Sequence, residues 1–271
     1  MKSILVPVEN HNTMASVLSV AALAGHHLDG KIDGVSLRAM QLQVAGTEPI
    51  IAVSVPPSYQ NEKETLEKAR ALFEACAAAT AENANRMLWN CETAIDDSGL
   101  SCLARVYDLT VIGRPSVEHG GARMTTLEAV LFDSGRPILI APPQAATGLG
   151  KNVVISWNCS TEAARTLAFA MPFLHKADKV SVLTIEEAVV TGPSGEEICA
   201  NLSANGIEAS NYVVSARAHK PGAVILAESA NLGCDLLIKS AYTQSRLRQM
   251  IFGGATNHIL YHANLPVFMA N

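Results

Sequence analysis

The strand-like segments of this chain occur twice in the same order, and this repeat constrains the fold more than any other feature. The segment from Asp108 to Gly113 matches the one from Asp235 to Lys239, and Lys2–Val8 matches Lys151–Trp157 in position and kind. Helix-like segments separate the strands in both halves, and such alternation gives parallel sheets covered by helices on both faces. We therefore predict an α/β fold of two tandem domains, each an open parallel five-stranded sheet.

A stretch of prolines, small residues and glycines, from Pro142 to Gly150, has the composition of a linker between the halves. We place the first domain at residues 1–144 and the second at residues 151–271. Within the first half, a surface loop is predicted from Gln41 to Ser58. A long helix is predicted from Tyr59 to about Trp89, followed by a short strand near 91–95.

Composition excludes several classes of protein. The 20 Lys and Arg residues are outnumbered by 25 Asp and Glu residues, and this balance argues against binding to a nucleic-acid backbone. No apolar run reaches the roughly 18 residues that a membrane span needs. Six cysteines are scattered without metal-ligand spacing, as expected for small buried side chains in a reducing compartment. These observations predict a cytoplasmic protein that binds neither nucleic acid nor membrane.

The segment from Cys234 to Asn271 predicts a βαβ unit. A short buried strand is followed by a hydroxyl-rich loop, a helix that opens at Gly253-Gly254, and a final strand over Leu265–Met269. Unpaired backbone N–H groups converge at a helix N-terminus and favour anions there. This segment is therefore a candidate anion site.

The stretches from Ala241 to Leu260 and from Leu265 to Ala270 resemble the universal stress protein family, in particular its tandem members. Trp157–Arg165 and Leu127–Pro137 carry the same resemblance, which extends over both halves. It implies a fold like that of the adenine nucleotide alpha-hydrolases and a cytoplasmic, stress-related, non-catalytic protein that usually forms dimers. Many members bind ATP or another adenine nucleotide, and no metal is implied beyond nucleotide-bound magnesium.

Nucleotide-binding members of that family carry G-x-x-G-x9-G-[ST] after the fourth strand. In this chain the first glycine falls on Ser240, the second on Thr243 and the third on Gly253. Gly254 occupies the Ser/Thr position, and Thr256 lies two residues beyond it. Side chains in place of two glycines add bulk, whereas their hydroxyls could bond a phosphate. The loop is thus either a remodelled anion site or an inactive one.

Further candidate contacts to the nucleotide are Arg246 in the loop and Ser156, Trp157 and Asn158 at the end of the first strand of the second half. A guanidinium binds phosphate well, although Arg246 could equally lie on a solvated face or at a dimer contact. Trp157 could flank an adenine, although a tryptophan at a strand end more often packs in the core. Asn158 stands where the family has an acidic residue.

The first half keeps Gly113 at the first motif position and Glu9 at the acidic position, but no glycine pair opens its last helix. We therefore predict that its phosphate site is absent. His258 and His262 stand four residues apart on one predicted helix, which by itself does not make a metal site.

Three functions remain open. The chain is a nucleotide-responsive stress protein, a non-nucleotide-binding interaction or scaffold protein of the same fold, or an enzyme. No catalytic constellation and no G-x-G-x-x-G after a first strand supports the enzyme. The last strand, including Pro266–Met269, is expected at a sheet edge, where it pairs either with the other half or with a second chain in a homodimer.

Overall fold

The computed structural model describes residues 1–38, 41–45, 51–55, 59–116, 121–241 and 254–271. Strands and helices alternate along the chain, as the repeat predicts. Within these ranges the first half contains seven strands: β1 Ser3–Val8, β2 Lys31–Ser36, β3 Gln41–Ala45, β4 Ile51–Val55, β5 Met87–Trp89, β6 Leu109–Gly113 and β7 Ile138–Ala141. Its helices in the described residues are α1 Met14–Leu28, α2 Tyr59–Ala78, α3 Ala81–Arg86, α4 Asp97–Ala104 and α5 Met124–Asp133.

The second half repeats the alternation. Its strands in the described residues are β8 Asn152–Trp157, β9 Lys179–Ile185, β10 Ala209–Val214, β11 Leu236–Ser240 and β12 Val267–Ala270. Its described α-helices are α6 Thr161–Leu174, α7 Gly195–Ala204, α8 Pro221–Asn231 and α9 Ala255–His262, and a single 3-10 turn spans Glu186–Ala188. None of the described helices combines the length and the hydropathy that a membrane span requires.

Ten strands form one continuous sheet in the order β10-β9-β8-β11-β12-β7-β6-β1-β2-β5. Each half contributes five strands in the same relative order, and neighbours within a half are parallel. The halves join through β12 and β7, which are antiparallel, with Phe268 opposite Leu139. The expected pair of separate five-stranded sheets is therefore corrected to a single ten-stranded sheet. The final strand pairs with the other half of its own chain.

The inner strands of the sheet, such as β1, β6 and β11, are almost wholly buried because helices cover both faces of the sheet, whereas the edge strand β10 is partly exposed. One apolar cluster contains residues of both halves, including Leu139 and Phe268, so the core continues across the joint. Phe173 also stacks its ring on His27, at a centroid distance of 5.4 Å, which connects α6 to α1.

Three local expectations in the first half were wrong. Residues 41–45 and 51–55, predicted as a loop, pair as an antiparallel hairpin. The long helix ends at Ala78, because Thr80 caps a new helix through a 3.1 Å hydrogen bond from the Asn83 backbone N–H. The strand predicted near 91–95 lies instead at Met87–Trp89, which is β5.

Candidate functional site

A cavity of about 530 Å³ opens at the carboxyl ends of β8, β9 and β11. β8 lies between β9 and β11, so the chain crosses over in opposite directions on its two sides. Such a switch point is where open α/β sheets bind ligands. The lining comes from the strand ends, the 3-10 turn and the starts of two helices: Ser156, Trp157, Asn158, Ile185, Glu187, Ala188, Val189, Val190, Ala218, His219, Lys220, Pro221, Ile225, Lys239, Gly254, Ala255, Thr256 and His258.

The end of β8 forms one wall of the cavity. Trp157 is only 2% exposed, and its indole N–H donates a 2.8 Å hydrogen bond to the carbonyl of Pro193. Its ring therefore packs in the core, as do the rings of most tryptophans at strand ends. The Asn158 side-chain oxygen accepts a 2.8 Å hydrogen bond from the Ser160 hydroxyl, and Ser160 also caps α6. Asn158 is thus positioned by the start of α6.

Helix α9 directs its N-terminus toward the cavity. Gly254 is the N-cap residue, and no side chain of the described residues caps the helix there. Thr256, in the first turn, is buried and lines the cavity. The first N–H groups of a helix lack partners within the helix and carry a partial positive charge. This end of the cavity therefore favours an anionic group.

The close packing of α9 against α8 requires Gly222. A Cβ atom on Gly222 would lie 2.7 Å from the carbonyl oxygen of Ala255 and 2.8 Å from the Cβ of His258. Both distances are shorter than real contacts allow, so a side chain here would push the helices apart. Gly222 thus helps to hold the N-terminus of α9 beside the cavity.

Lys239 is the functional candidate that sequence reasoning missed. It lines the cavity from β11, yet it is only 6% exposed, and its ammonium donates a 3.0 Å hydrogen bond to the carbonyl of Ser240. Burial disfavours the charged amine and lowers the pKa of Lys239 to about 8. The available signal was a lysine within the otherwise apolar run Leu236-Leu-Ile-Lys-Ser240.

Glu187 shapes the wall opposite α9. Its carboxylate accepts hydrogen bonds from the Ser215 hydroxyl and from the backbone N–H groups of Ala216, at 2.7 Å, and Arg217, at 3.2 Å. These bonds, with the Ser215 hydroxyl contributing most, lower the pKa of Glu187 to about 2. The carboxylate therefore stays ionised and fixes the loop that leads to Lys220.

Basic side chains dominate the remaining charges of the lining. Lys220 and His219 come from the loop before α8, and His258 comes from α9. Burial lowers the pKa of His258, and the neighbouring positive charges of His262 and Lys220 lower it further. His258 and His262 stack with ring centroids 4.2 Å apart. Within the described ranges, no three metal-ligating side chains converge, at these histidines or elsewhere.

The residues predicted from sequence divide into three groups. Ser156, Trp157, Asn158, Gly254 and Thr256 all line the cavity. Ser240 does not: it follows Lys239 on β11, so its side chain points to the other face of the sheet, and its hydroxyl is buried without a hydrogen-bond partner. Thr243, Arg246 and Gly253 lie outside the described residues, and their roles remain predictions.

Comparison with known families adds independent information. Residues 151–271 match the model of the Universal stress protein family. The second half of the chain contains a universal stress protein domain. No protein with a curated description matches the sequence.

Solved structures show that the universal stress protein fold extends over the whole chain. A universal stress protein from Archaeoglobus fulgidus has a TM-score of 0.73 and 18% identity, over 99% of this chain and 96% of its own. A putative universal stress protein from Pseudomonas aeruginosa has a TM-score of 0.60 and 11% identity, over 100% of this chain and 93% of its own. At these identities the likeness concerns the fold alone.

The first half has a matching crevice that differs sharply from the cavity of the universal stress protein domain. Its volume is about 10 Å³, roughly the space of one water molecule. Arg123 precedes α5 as Gly254 precedes α9, and it lines the crevice together with Glu9. It donates hydrogen bonds of 3.0 and 2.7 Å to Glu9 and of 3.2 and 2.9 Å to Asp97. A side-chain ion cluster thus fills this crevice.

Burial of the Glu9 carboxylate in this ion cluster is unfavourable in free energy. Burial raises the pKa of its carboxyl group, and the attraction of Arg123 only partly opposes this effect. Arg123 therefore supplies the positive charge that partly offsets the burial of the Glu9 carboxylate. We find in this arrangement a physical reason why the first half keeps the strand order but not an open cavity.

Proposed function

We propose that the chain is a tandem universal stress protein that binds an adenine nucleotide in the cavity of its second half. The observation that carries the proposal is the coincidence of two features at one switch point. A cavity within the 300–1,000 Å³ range of small-molecule sites contains the uncapped N-terminus of α9. A phosphate group fits that N-terminus, and the apolar lining from Ile185 and Ile225 suits a base or ribose.

The tandem organisation that we propose places the domains at residues 1–144 and 151–271. Equivalent contacts in the two halves support it. The Asp108 carboxylate accepts the backbone N–H of Lys2 at 2.6 Å, and the Asp235 carboxylate accepts that of Lys151 at 3.0 Å. The identical strand order in both halves supports it as well. Self-association then takes place first between the halves, through β12 and β7.

We propose a cytoplasmic, binding role without catalysis. All six cysteines are free thiols, as is usual for proteins of reducing compartments. The alternative function, an interaction protein of the same fold that needs no nucleotide, is favoured by one observation. The ion cluster of Arg123, Glu9 and Asp97 fills the first crevice, so that half offers only its surface to partners.

Substitution of Gly254 tests nucleotide binding without confusing it with folding. Aspartate is a good N-cap residue, so Gly254→Asp should preserve or slightly raise stability. Its negative charge at the mouth of the helix should repel phosphate and abolish binding of ATP, ADP and AMP in calorimetric titration. Ser194→Asp is the matched control: it places the same charge at the N-cap of α7, which is outside the cavity lining.

Two results would contradict the proposal. Absence of nucleotide binding by the wild-type chain at millimolar concentration would favour the interaction protein. Steady release of phosphate from ATP by the wild type, lost in Gly254→Asp, would show an enzyme instead.

A further inference from the structure

Lys239 is unusual because a charged side chain lies within a buried strand. Its neighbours along β11, Leu237 and Ile238, are fully or almost fully buried in apolar clusters. Burial of an ammonium group without a counter-ion is strongly unfavourable. The charge of Lys239 therefore lowers the stability of the fold. A role in binding an anion would account for its presence.

No carboxylate in the described part of the chain forms an ion pair with Lys239. Glu187, the carboxylate among the lining residues, is already held by the loop at Ser215–Arg217. The sequence that directly follows, residues 242–253, contains no Asp or Glu. Among the described residues, therefore, the positive charge of Lys239 has the hydrogen bond to the Ser240 carbonyl but no neutralising partner.

We propose that Lys239 is the anion anchor of the cavity and that it binds the phosphate group of the ligand together with the backbone N–H groups at the start of α9. Lys239 and Gly254 line the same cavity, one from the sheet and one from the helix. An anion between them satisfies a buried cation and an uncapped helix end at once. The nucleotide identity of the ligand rests on the function proposed above, whereas recognition of the anion does not.

The role of Lys239 also accounts for the altered glycine motif. Ser240 and Thr243 replace two glycines, whose backbone would otherwise approach phosphate closely. The charged side chain of Lys239 reaches the cavity, so the phosphate does not need to approach the backbone closely. The chain thus exchanges backbone contacts for one buried charge.

The decisive variant is Lys239→Met, which keeps the length of the side chain and removes the charge. Calorimetric titrations compare AMP, adenosine and inorganic phosphate, with circular dichroism to verify the fold. We expect AMP and phosphate to bind about 10- to 100-fold more weakly, the range for a lost hydrogen bond to a charged group. Adenosine, which lacks phosphate, should bind within about twofold of the wild type. Lys179→Met removes an exposed lysine outside the cavity and is the matched control.

A second measurement separates binding from a structural role. Without ligand, Lys239→Met should raise the melting temperature, because it removes an uncompensated buried charge. At the same concentration, phosphate should stabilise the wild type more than the variant. A lysine that merely supported the fold would give the opposite change in melting temperature when replaced.

The outcomes distinguish this inference from the proposed function. Equal affinity of the wild type and Lys239→Met for AMP overturns the role of Lys239 and leaves nucleotide binding intact. Binding of phosphate but not AMP, lost in Lys239→Met, supports the anion anchor and overturns the nucleotide. A wild-type chain that binds none of the three ligands overturns both.

Discussion

At the scale of single residues, the two halves use charge in opposite ways at equivalent places. In the first half, Arg123 forms ion pairs with Glu9 and Asp97, and it lines a crevice of about 10 Å³. In the second half, Lys239 has no such counter-ion in the described residues, and the cavity is open. A filled crevice provides its own counter-ions, whereas an open one requires them from a ligand.

The burial of Lys239 predicts a specific dependence of stability on pH. Its pKa of about 8 in the folded protein is below the ordinary value of 10.5, so the unfolded chain binds more protons between these values. Stability relative to Lys239→Met should therefore increase as pH rises from 8 to 10.5, by about 3 kcal/mol at most. Urea unfolding of both proteins measures this difference. The same cavity is also lined by Glu187, His219, Lys220 and His258. Both proteins contain these residues, so their contributions largely cancel in the difference in stability.

Removal of Arg123 should destabilise the first half. Arg123→Met leaves Glu9 and Asp97 without a cation, and because all three side chains keep some solvent contact we expect a cost of about 2 kcal/mol at pH 7. The pKa of Glu9 is already raised and should rise further, so the folded state of the variant takes up protons more readily. Its deficit should therefore shrink as pH falls toward 5. A deficit that is independent of pH would contradict this account.

At the scale of secondary-structure elements, one contact occurs in both halves. It joins β1 to β6 in the first half and β8 to β11 in the second. Asp108 accepts the N–H groups of Lys2 and Ser3, and Asp235 accepts those of Lys151 and Asn152. Each aspartate thus fixes the start of one strand against its neighbour. Burial alone would raise the pKa of Asp108, but the N–H groups of Lys2 and Ser3 outweigh it, and the pKa is lowered.

Asp108→Asn and Asp235→Asn should therefore cost similar amounts, about 1–2 kcal/mol each at pH 7. An amide presents one acceptor oxygen and no charge to the two N–H groups. Asp178→Asn is the control, because Asp178 forms an exposed ion pair with Lys151 and should change stability by less than about 0.5 kcal/mol. The contribution of Asp108 should disappear as pH falls below 3.8. Chemical unfolding would contradict this equivalence if only one variant lost stability.

Sequence reasoning succeeded where local pattern determines structure. The alternation of elements and the start of α9 after Gly254 both follow from short-range chemistry. The break at Thr80 was missed because good helix formers on both sides hide it. Lys239 was missed because an apolar strand pattern does not reveal which face of the sheet has a cavity. The continuity of the sheet depends on pairing between β7 and β12, which are far apart in sequence.

At the scale of the whole molecule, one sheet and two apolar clusters cross the boundary between the halves. Each half therefore loses packing if the other unfolds. We expect the chain to unfold in one cooperative transition, although its length would permit two.

The two tryptophans make this expectation measurable, since Trp89 lies in β5 and Trp157 in β8. Trp157→Phe leaves a fluorescence probe in the first half, and Trp89→Phe leaves one in the second. For each variant, the fluorescence transition in urea should coincide with the transition followed by circular dichroism. A fluorescence midpoint clearly separated from the dichroism midpoint in either variant would show that the halves unfold independently.

The antiparallel joint between β7 and β12 has a consequence for stoichiometry. The five strands that the first half contributes to the ten-stranded sheet run against the five of the second half, so the two crevices open at opposite ends of the sheet. A small molecule bound at one end of the sheet cannot reach the other end. The crevice of the first half is narrowed by the guanidinium of Arg123. Saturation should therefore follow a simple hyperbola with one equivalent per chain, free of homotropic cooperativity.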